Sequence, residues 1–437
     1  MSNDAAVAPR KLATWSWALW GWAEHAYPTI IQTFIFATYI TSDAFGKNTD
    51  ALSNQFGLAV SIAGLAVAVS APVIGRRSDA SGRRKRSLLI NSGILIALMF
   101  ASYFVMPNPA YFGFGLALYA IGSVVQEITF VNYYAMLKQV STPKTMARVS
   151  GLAWGLGYVG GIVLLLIALV GFYLPDHPWF GISTDGAQNI RFMFVISAVW
   201  MLIFSIPMAL FVPEVAAPAS AKKVSILESY RGLWSQLKSL RQTSPDALRF
   251  LIASAIFRDG LVGVFTFGAV LGSVAFGFTK TQVIFYGIAA SIVAGIGATI
   301  GGFVDERIGT KKTIQGSLIG LVLAGLSVFV FAGAGPITYW IGGLSLSLFV
   351  GPAQASARTF LARLAPKHRE GELFGLYQTT GEAASFIAPT LWSICISLAA
   401  AAGVEHPTIF GVLGIVVILV VGIWLMSRVH PNPRVTE

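Results

Sequence analysis

The sequence predicts an all-α membrane protein with about twelve transmembrane helices arranged as two parallel six-helix halves. Three observations carry this prediction. First, 55% of the 437 residues are hydrophobic and only 11% are charged, against roughly 25% charged in a soluble domain. Such a chain cannot clothe a water-facing surface, and surrounding lipid removes the need to. Second, the apolar residues fall into runs of about the 20 residues that a bilayer requires of a helix. Third, two patterns in the first half of the chain return in the second half at nearly the same offset.

The runs lie near residues 15–41, 55–76, 87–106, 110–137, 149–173 and 191–212, then near 248–275, 282–304, 313–334, 337–361, 373–401 and 408–427. The first follows a polar start containing Arg10 and Lys11. It exceeds the roughly 7–15 residues of a signal-peptide core and is expected to be a retained helix. These runs divide the chain into an N-terminal half over 1–212, a cytoplasmic linker over 213–246 and a C-terminal half over 247–437. Within the linker, Ser225-Ile226-Leu227-Glu228 fits a helix capping box. Ile226, Tyr230, Leu233, Leu237 and Leu240 then recur at helical spacing. An amphipathic helix is expected there, lying on the inner membrane surface or on the protein's own cytoplasmic face.

Basic residues set the orientation. With the N-terminus in the cytoplasm, 26 of the 30 Lys and Arg residues fall in inner segments. Lys47, Arg191 and Lys280 fall outside, and Arg258 lies within a span. The positive-inside bias puts both termini in the cytoplasm. It also accounts for the net charge of +11 without a nucleic-acid partner. The single cysteine, Cys395, excludes an intrachain disulfide and a Cys-rich metal site. No cofactor and no metal are expected. The short tails, the absence of a cleaved leader and the charge bias predict a multi-pass protein of a bacterial cell membrane.

The densest basic cluster is Gly75-Arg76-Arg77-Ser78-Asp79-Ala80-Ser81-Gly82-Arg83-Arg84-Lys85-Arg86. The second half holds a weaker copy, Gly301-Gly302-Phe303-Val304-Asp305-Glu306-Arg307-Ile308-Gly309-Thr310-Lys311-Lys312. Pro143-Lys144 with Arg148 and Gly151-Leu152 returns, at nearly the same offset, as Pro366-Lys367 with Arg369 and Gly375-Leu376. Both halves keep the same sidedness, so the repeat is parallel. Gly75 allows close backbone approach, and Asp79 suits a helix N-terminus.

Gly75, Asp79, Gly82, Arg83 and Arg84 fit the loop signature Gly-x-x-x-Asp-x-x-Gly-Arg-Arg/Lys of the major facilitator superfamily, which the whole chain resembles. Gly301, Asp305, Gly309 and Lys311 fit it with one inserted residue. Three patches narrow the resemblance to the vacuole-effluxer-like family, which includes fungal vacuolar amino-acid exporters. They are Ser16–Tyr27, Arg148–Gly161, and Phe374-Gly375-Leu376-Tyr377 through Gly381 to Pro389. The chain departs from that family's usual Asp, Asn and Lys at Gly21, Glu24 and Glu382. The resemblance implies that the basic turns latch an inner gate. It assigns conformational roles to Gly75, Asp79, Arg83 and Asp305.

Ionisable groups inside a span cost roughly 2.5–3.5 kcal/mol each on insertion scales and usually face a cavity or a partner. The candidates for substrate binding or proton coupling are Glu24, His25, Glu127, Arg258, Asp259 and Glu382. The resemblance places all but Glu382 on helices that line a central cavity. Four carboxylates against one Arg leave a negative excess, so protonation or a bound cation is expected. Successive helical residues point about 100° apart. Glu24 and His25 are therefore not expected to face one point, nor are Arg258 and Asp259.

Each candidate also has a structural reading. Glu24 can satisfy backbone freed by a kink at Pro28, His25 can be a packing residue, and Glu127 can bond a neighbouring helix. Arg258 and Asp259 can pair, or cap a broken helix. Arg358, near the inner end of the tenth helix, is either a gate or a snorkelling anchor. Trp15 and Trp17 suit an interfacial belt, while Trp20 and Trp22 suit packing. Gly155, Gly157, Gly160 and Gly161 suit close helix approach.

The expected function is secondary active transport of a small polar solute by alternating access. The resemblance implies export of amino acids or related metabolites, with protons as a candidate coupling ion. An exporter of cationic or amphipathic compounds is the alternative. A membrane-embedded enzyme or a non-transporting sensor would be the reading from another class. The expected partners are the solute and the lipid bilayer.

Overall fold

The computed structural model describes residues 11–47, 49–214, 240–241, 244–278, 280–365 and 370–430. Some helical side chains, those of Arg76, Asp79 and Glu382 among them, lie outside the described residues, as does the expected amphipathic helix of the linker. Among the described residues every regular element is helical.

The first half contains α1 (Lys11–Glu24), a π-helical stretch (Tyr27–Phe34), α2 (Phe36–Ile40), α3 (Thr49–Ser81), α4 (Arg84–Ser102), α5 (Phe112–Ala135), the short α6 (Leu137–Val140), α7 (Met146–Ala168) and α8 (Gln188–Phe211). The second half contains α9 (Pro245–Val270), α10 (Lys280–Ile308), α11 (Thr310–Val330), α12 (Pro336–Leu364), α13 (Glu370–Ala384), α14 (Ile387–Ala401) and α15 (Gly411–Ser427).

Eight helical runs among the described residues are long and apolar enough to cross a bilayer. The four expected spans that miss this standard are the polar or broken ones. The first is interrupted by the π-helical stretch at Pro28. The second retains a shorter apolar helix at Ile62–Gly75. The tenth, α12, is 29 residues long but carries Ser345, Ser347, Gln354, Ser356 and Arg358. The eleventh breaks at residues 385–386, leaving α13 and α14 at 15 residues each.

The repeat seen in the sequence reappears as packing. In the first half α3 and α4 pack on α5, and α1 and α4 pack on α8. In the second half α10 and α11 pack on α12, and α9 and α11 pack on α15. These are the same pairings of the first, second, third, fourth and sixth spans. By contact the chain forms two compact units. One comprises Met1–Thr142, Leu156–Val224 and Glu370–Gly375; the other comprises Pro143–Gly155, Ser225–Arg369 and Leu376–Glu437.

Each basic turn ends one helix and starts the next, and its Asp lies on the ending side. Asp79 falls in the last turn of α3 and Asp305 in the last turn of α10, so the expected N-terminal placement of this Asp is corrected. The cause is the glycine that follows. Gly82 (φ 62°) and Gly309 (φ 89°) adopt the left-handed conformation that closes a helix C-terminus. Their N–H groups donate back to Ser78 O (3.1 Å) and Asp305 O (2.9 Å).

Candidate solute-binding site

In the first unit, the buried Glu24 carboxylate is the centre of a polar cluster inside the membrane-spanning helices. Gln126 Nε2, from α5, donates to Glu24 Oε1 at 2.6 Å. His25 Nδ1 lies 3.0 Å from Glu24 Oε2 and 3.1 Å from Gly21 O. Both of those neighbours are acceptors, so Nδ1 carries the proton and a second proton would go on Nε2. Glu24 and His25 thus do meet, against the expectation from helical spacing. Pro28 supplies no N–H and its ring clashes with the carbonyl four residues earlier. The α-helix stops at Glu24 and reopens as a π-helix at Tyr27. The His25 ring folds back one turn to Gly21 O, which also sets its Nδ1 against Glu24.

Two further features hold this cluster. Gly157 and Gly160 of α7 lie against the His25 ring and the Trp22 backbone. A Cβ at Gly160 would sit 2.7 Å from Trp22 O, so only glycine permits this approach. Trp22 also stacks on Trp200 (5.3 Å between centroids). Below the cluster, Trp17 stacks on Tyr133 at 4.2 Å and donates from Nε1 to Tyr133 O at 3.1 Å. Trp17 is buried, so its expected place in an interfacial belt is corrected, whereas Trp15 is exposed. Trp20 is buried beside Tyr133 and donates to Ser92 Oγ at 3.3 Å. Glu127 is half-buried, next to the Gln126 that reaches Glu24.

In the second unit, Arg258 and Asp259 diverge as their spacing requires. Asp259 is buried, and its Oδ2 accepts the Ala388 N–H at 2.6 Å. Ala388 is the second residue of α14, so Asp259 satisfies a backbone donor exposed by the helix break and complements the α14 dipole. The half-buried Arg258 lies 3.9 Å above the Tyr377 ring of α13. It donates from Nη1 to Tyr377 O and from Nη2 to Gln378 Oε1, both at 3.0 Å. Arg358 is buried, with its guanidinium 3.9 Å over the Trp154 ring. Burial rules out the snorkelling reading. The Glu382 side chain lies outside the described residues.

The turns carry a duplicated tether. Lys85 Nζ donates to Ala209 O (2.9 Å) and Val212 O (2.8 Å), at the end of α8. Lys311, its counterpart in the second turn, donates to Ser427 O (3.2 Å) and Val429 O (2.6 Å), at the end of α15. A cation at a helix C-terminus satisfies orphan carbonyls and complements the dipole. The flanking ion pairs differ in burial. Arg84 pairs with Glu370 at 2.7 Å, both largely buried, and Lys138 lies 3.6 Å from the same carboxylate. Arg148 pairs with Glu306 at 2.5 Å but is half exposed. Asp305 Oδ1 accepts from Thr310 Oγ1 at 2.8 Å and lies 3.7 Å from Arg363. Gly75 is buried and Arg83 is exposed at the start of α4. The Asp79 side chain lies outside the described residues.

Sequence reasoning missed Gln126, Tyr377, Gln378 and Glu370. Gln126 and Gln378 had a usable signal, an amide within an apolar run. The pairing of Arg84 with Glu370 had none, because the two lie in opposite halves of the sequence. Among the described residues, no group of three or more His, Cys, Asp or Glu is placed to hold a metal ion.

The family described as "Vacuole effluxer Atg22 like" matches residues 44–432. The chain belongs to this family. Among relatives of the Atg22-like chain, an uncharacterized MFS-type transporter of Bacillus subtilis (strain 168), YxiO, is 26% identical over 421 residues, 95% of this chain and 94% of that protein. Autophagy-related protein 22-2 of Aspergillus clavatus is 24% identical over 282 residues. That match covers 57% of this chain and 43% of the fungal protein, so the chain aligns with less than half of that relative's length. Among solved structures, the MFS proton:xylose symporter XylE superposes with a TM-score of 0.73 at 13% identity, covering 96% of this chain and 95% of that one. The Atg22-like chain is therefore a multi-pass membrane protein with the major facilitator fold.

Proposed function

We propose that this Atg22-like chain is a secondary transporter that moves a small polar solute by alternating access, without enzymatic activity. The reading favours export of amino acids or related metabolites from a bacterial cytoplasm, with protons as the coupling ion. The positive-inside distribution of Lys and Arg supports a cell-membrane location with both termini cytoplasmic.

One observation carries the proposal. Glu24 is a carboxylate buried within the spanning helices, held by an amide donor and beside an imidazole that can take a second proton. Such a group is expensive in a membrane, usually faces a partner or a cavity, and marks a candidate substrate or proton path. Its neighbours leave it three ways to be compensated: by protonation, by a protonated His25, or by a cationic group of the solute. Glu127, at half burial, is the second carboxylate assigned to this path. Gly75, Asp79, Arg83, Asp305 and Arg358 are assigned to conformational control.

The test is flux of a broad metabolite panel into proteoliposomes containing the full chain, with and without a pH gradient. Transport of at least one polar solute, accelerated by the gradient, is expected. No movement of any solute under either condition contradicts the proposal.

A further inference from the structure

The connection between α7 and α8 takes no part in the Glu24 cluster, yet its tip is apolar and exposed. Past Ala168 the span continues as a π-helical turn over Leu169–Tyr173. Leu166, Val170, Tyr173 and Leu174 follow one another at helical spacing and are all exposed. Beyond the helix end the exposed apolar surface resumes at Trp179 and Phe180. Phe180 is 78% exposed, the highest value of any large apolar residue described.

This ring is displayed in a strained conformation. Phe180 adopts φ 62°, a region that bulky residues rarely enter. Such strain persists only where the surroundings over-determine it, and here they do. Asn189 Nδ2 donates to Phe172 O at 2.9 Å, and the Asn189 N–H donates to Ser183 O at 3.1 Å. The buried Arg191 donates to Gly186 O at 3.2 Å and to Tyr103 O at 2.6 Å, fixing the base of the connection to the end of α4. Gly171 leaves space for the Trp179 ring, since a Cβ there would lie 2.8 Å from it. Phe172 and Phe192 flank Phe180, with ring centroids at 6.5 and 6.2 Å.

Position and chemistry together indicate what this tip meets. It continues the exposed apolar face of a run long enough to cross a bilayer, Met146–Tyr173, and so stands where that run leaves the hydrocarbon. Tyr and Trp favour this level of a membrane. Residues 173–187 include Asp176 and Asp185 but no Lys or Arg. The tip therefore has no charge with which to attract anionic headgroups, and apolar burial is the force left to it.

We propose that residues 173–181 form a membrane-interface anchor, with Trp179 and Phe180 inserted among the headgroups and upper acyl chains at that end of α7. The occupant of this surface is zwitterionic or neutral lipid, held without a requirement for lipid charge. In the orientation proposed above the leaflet is the outer one. The anchor is independent of which solute the Glu24 site serves.

The experiment reads tryptophan fluorescence of the purified full chain in phosphatidylcholine nanodiscs. Subtracting the spectrum of Trp179→Phe isolates the Trp179 signal from the other tryptophans. The probes are phosphatidylcholine brominated in the upper acyl chain, which quenches from within the lipid, and acrylamide, which quenches from water. The Trp179 signal is expected to be blue-shifted, to lose most of its intensity to the brominated lipid and to lose little to acrylamide. High salt and added phosphatidylglycerol should leave this pattern unchanged. Phe180→Ser removes the ring, and Phe180→Gly removes the ring and relieves the strained φ. Both are expected to red-shift Trp179 and to weaken its quenching by brominated lipid, while keeping the wild-type melting temperature to within a few degrees.

The proposal is overturned if brominated lipid leaves the Trp179 signal intact, whether the ring is then open to acrylamide or covered by protein. It is equally overturned if quenching appears only with phosphatidylglycerol or disappears at high salt, because the attachment would then be electrostatic. Unchanged quenching of Trp179 in both Phe180 variants also contradicts it, since the strained ring would then have no part in the insertion.

Discussion

The basic turns of the two halves are near copies of one another, whereas the opening helices of the two halves are not. Lys85 and Lys311 hold matching places in the repeat, and each ties the last helix of its own half through that helix's terminal carbonyls. Gly82 and Gly309 end the preceding helices with the same left-handed residue. At the same count from the first residue of α1 and α9, however, one half carries Glu24 and the other Arg258. The difference teaches where duplication is retained. Geometry that closes a half is kept in both copies, whereas the charges carried by the opening helices differ. The ion pairs beside the turns fall between these extremes, with Glu370 buried against Arg84 and Glu306 meeting a half-exposed Arg148.

This contrast can be broken or sharpened by substitution. The largest stability effect is expected for Glu370→Ala, which leaves Arg84 and Lys138 without their shared buried carboxylate. A loss of about 3–5 kcal/mol follows from stranding buried charge, read as a drop in melting temperature of the detergent-purified chain. Asp259→Ala comes next, because it exposes the Ala388 N–H at the helix break. The expected loss is about 1–3 kcal/mol, and Asp259→Asn should recover part of it. Lys85→Met and Lys311→Met should each cost about 0.5–1.5 kcal/mol. Their near equality is the point: a cost confined to one of them would show that the turns are not equivalent. Glu306→Ala is expected to be the smallest, under about 1 kcal/mol, because its partner is solvated.

Much of this architecture was legible in the sequence. Composition and run length showed a multi-span helical protein, and the two repeated patterns showed its duplication. The π-helical opening after Glu24 was less legible. Pro28 marked a kink, but not that the chain would reopen as a π-helix at Tyr27. The Glu24–His25 contact was missed because helical spacing gives the direction in which a side chain leaves the helix, not the reach of an imidazole that folds back to Gly21 O. Trp17 misled for a related reason. Its position at the start of a span suits an interfacial belt, and only the tertiary stack on Tyr133 buries it. Asp259 was read with a capping alternative, and the break at residues 385–386 gives that alternative its partner. Gln126 and Gln378 stood in plain view as amides in apolar runs, but their partners depend on which helices pack together.

The most direct test of the central claim is gradient-driven flux through Glu24 variants. Wild-type and Glu24→Gln chains would be reconstituted at equal density, and uptake of a solute moved by the wild type would be followed with and without an imposed pH gradient. Gln keeps the shape and can still bond Gln126, but it cannot exchange a proton. The account predicts that Glu24→Gln loses the response to the gradient and at least about tenfold of the driven flux, while retaining the wild-type melting temperature to within a few degrees. Unchanged driven flux and an unchanged response to pH in Glu24→Gln would contradict it.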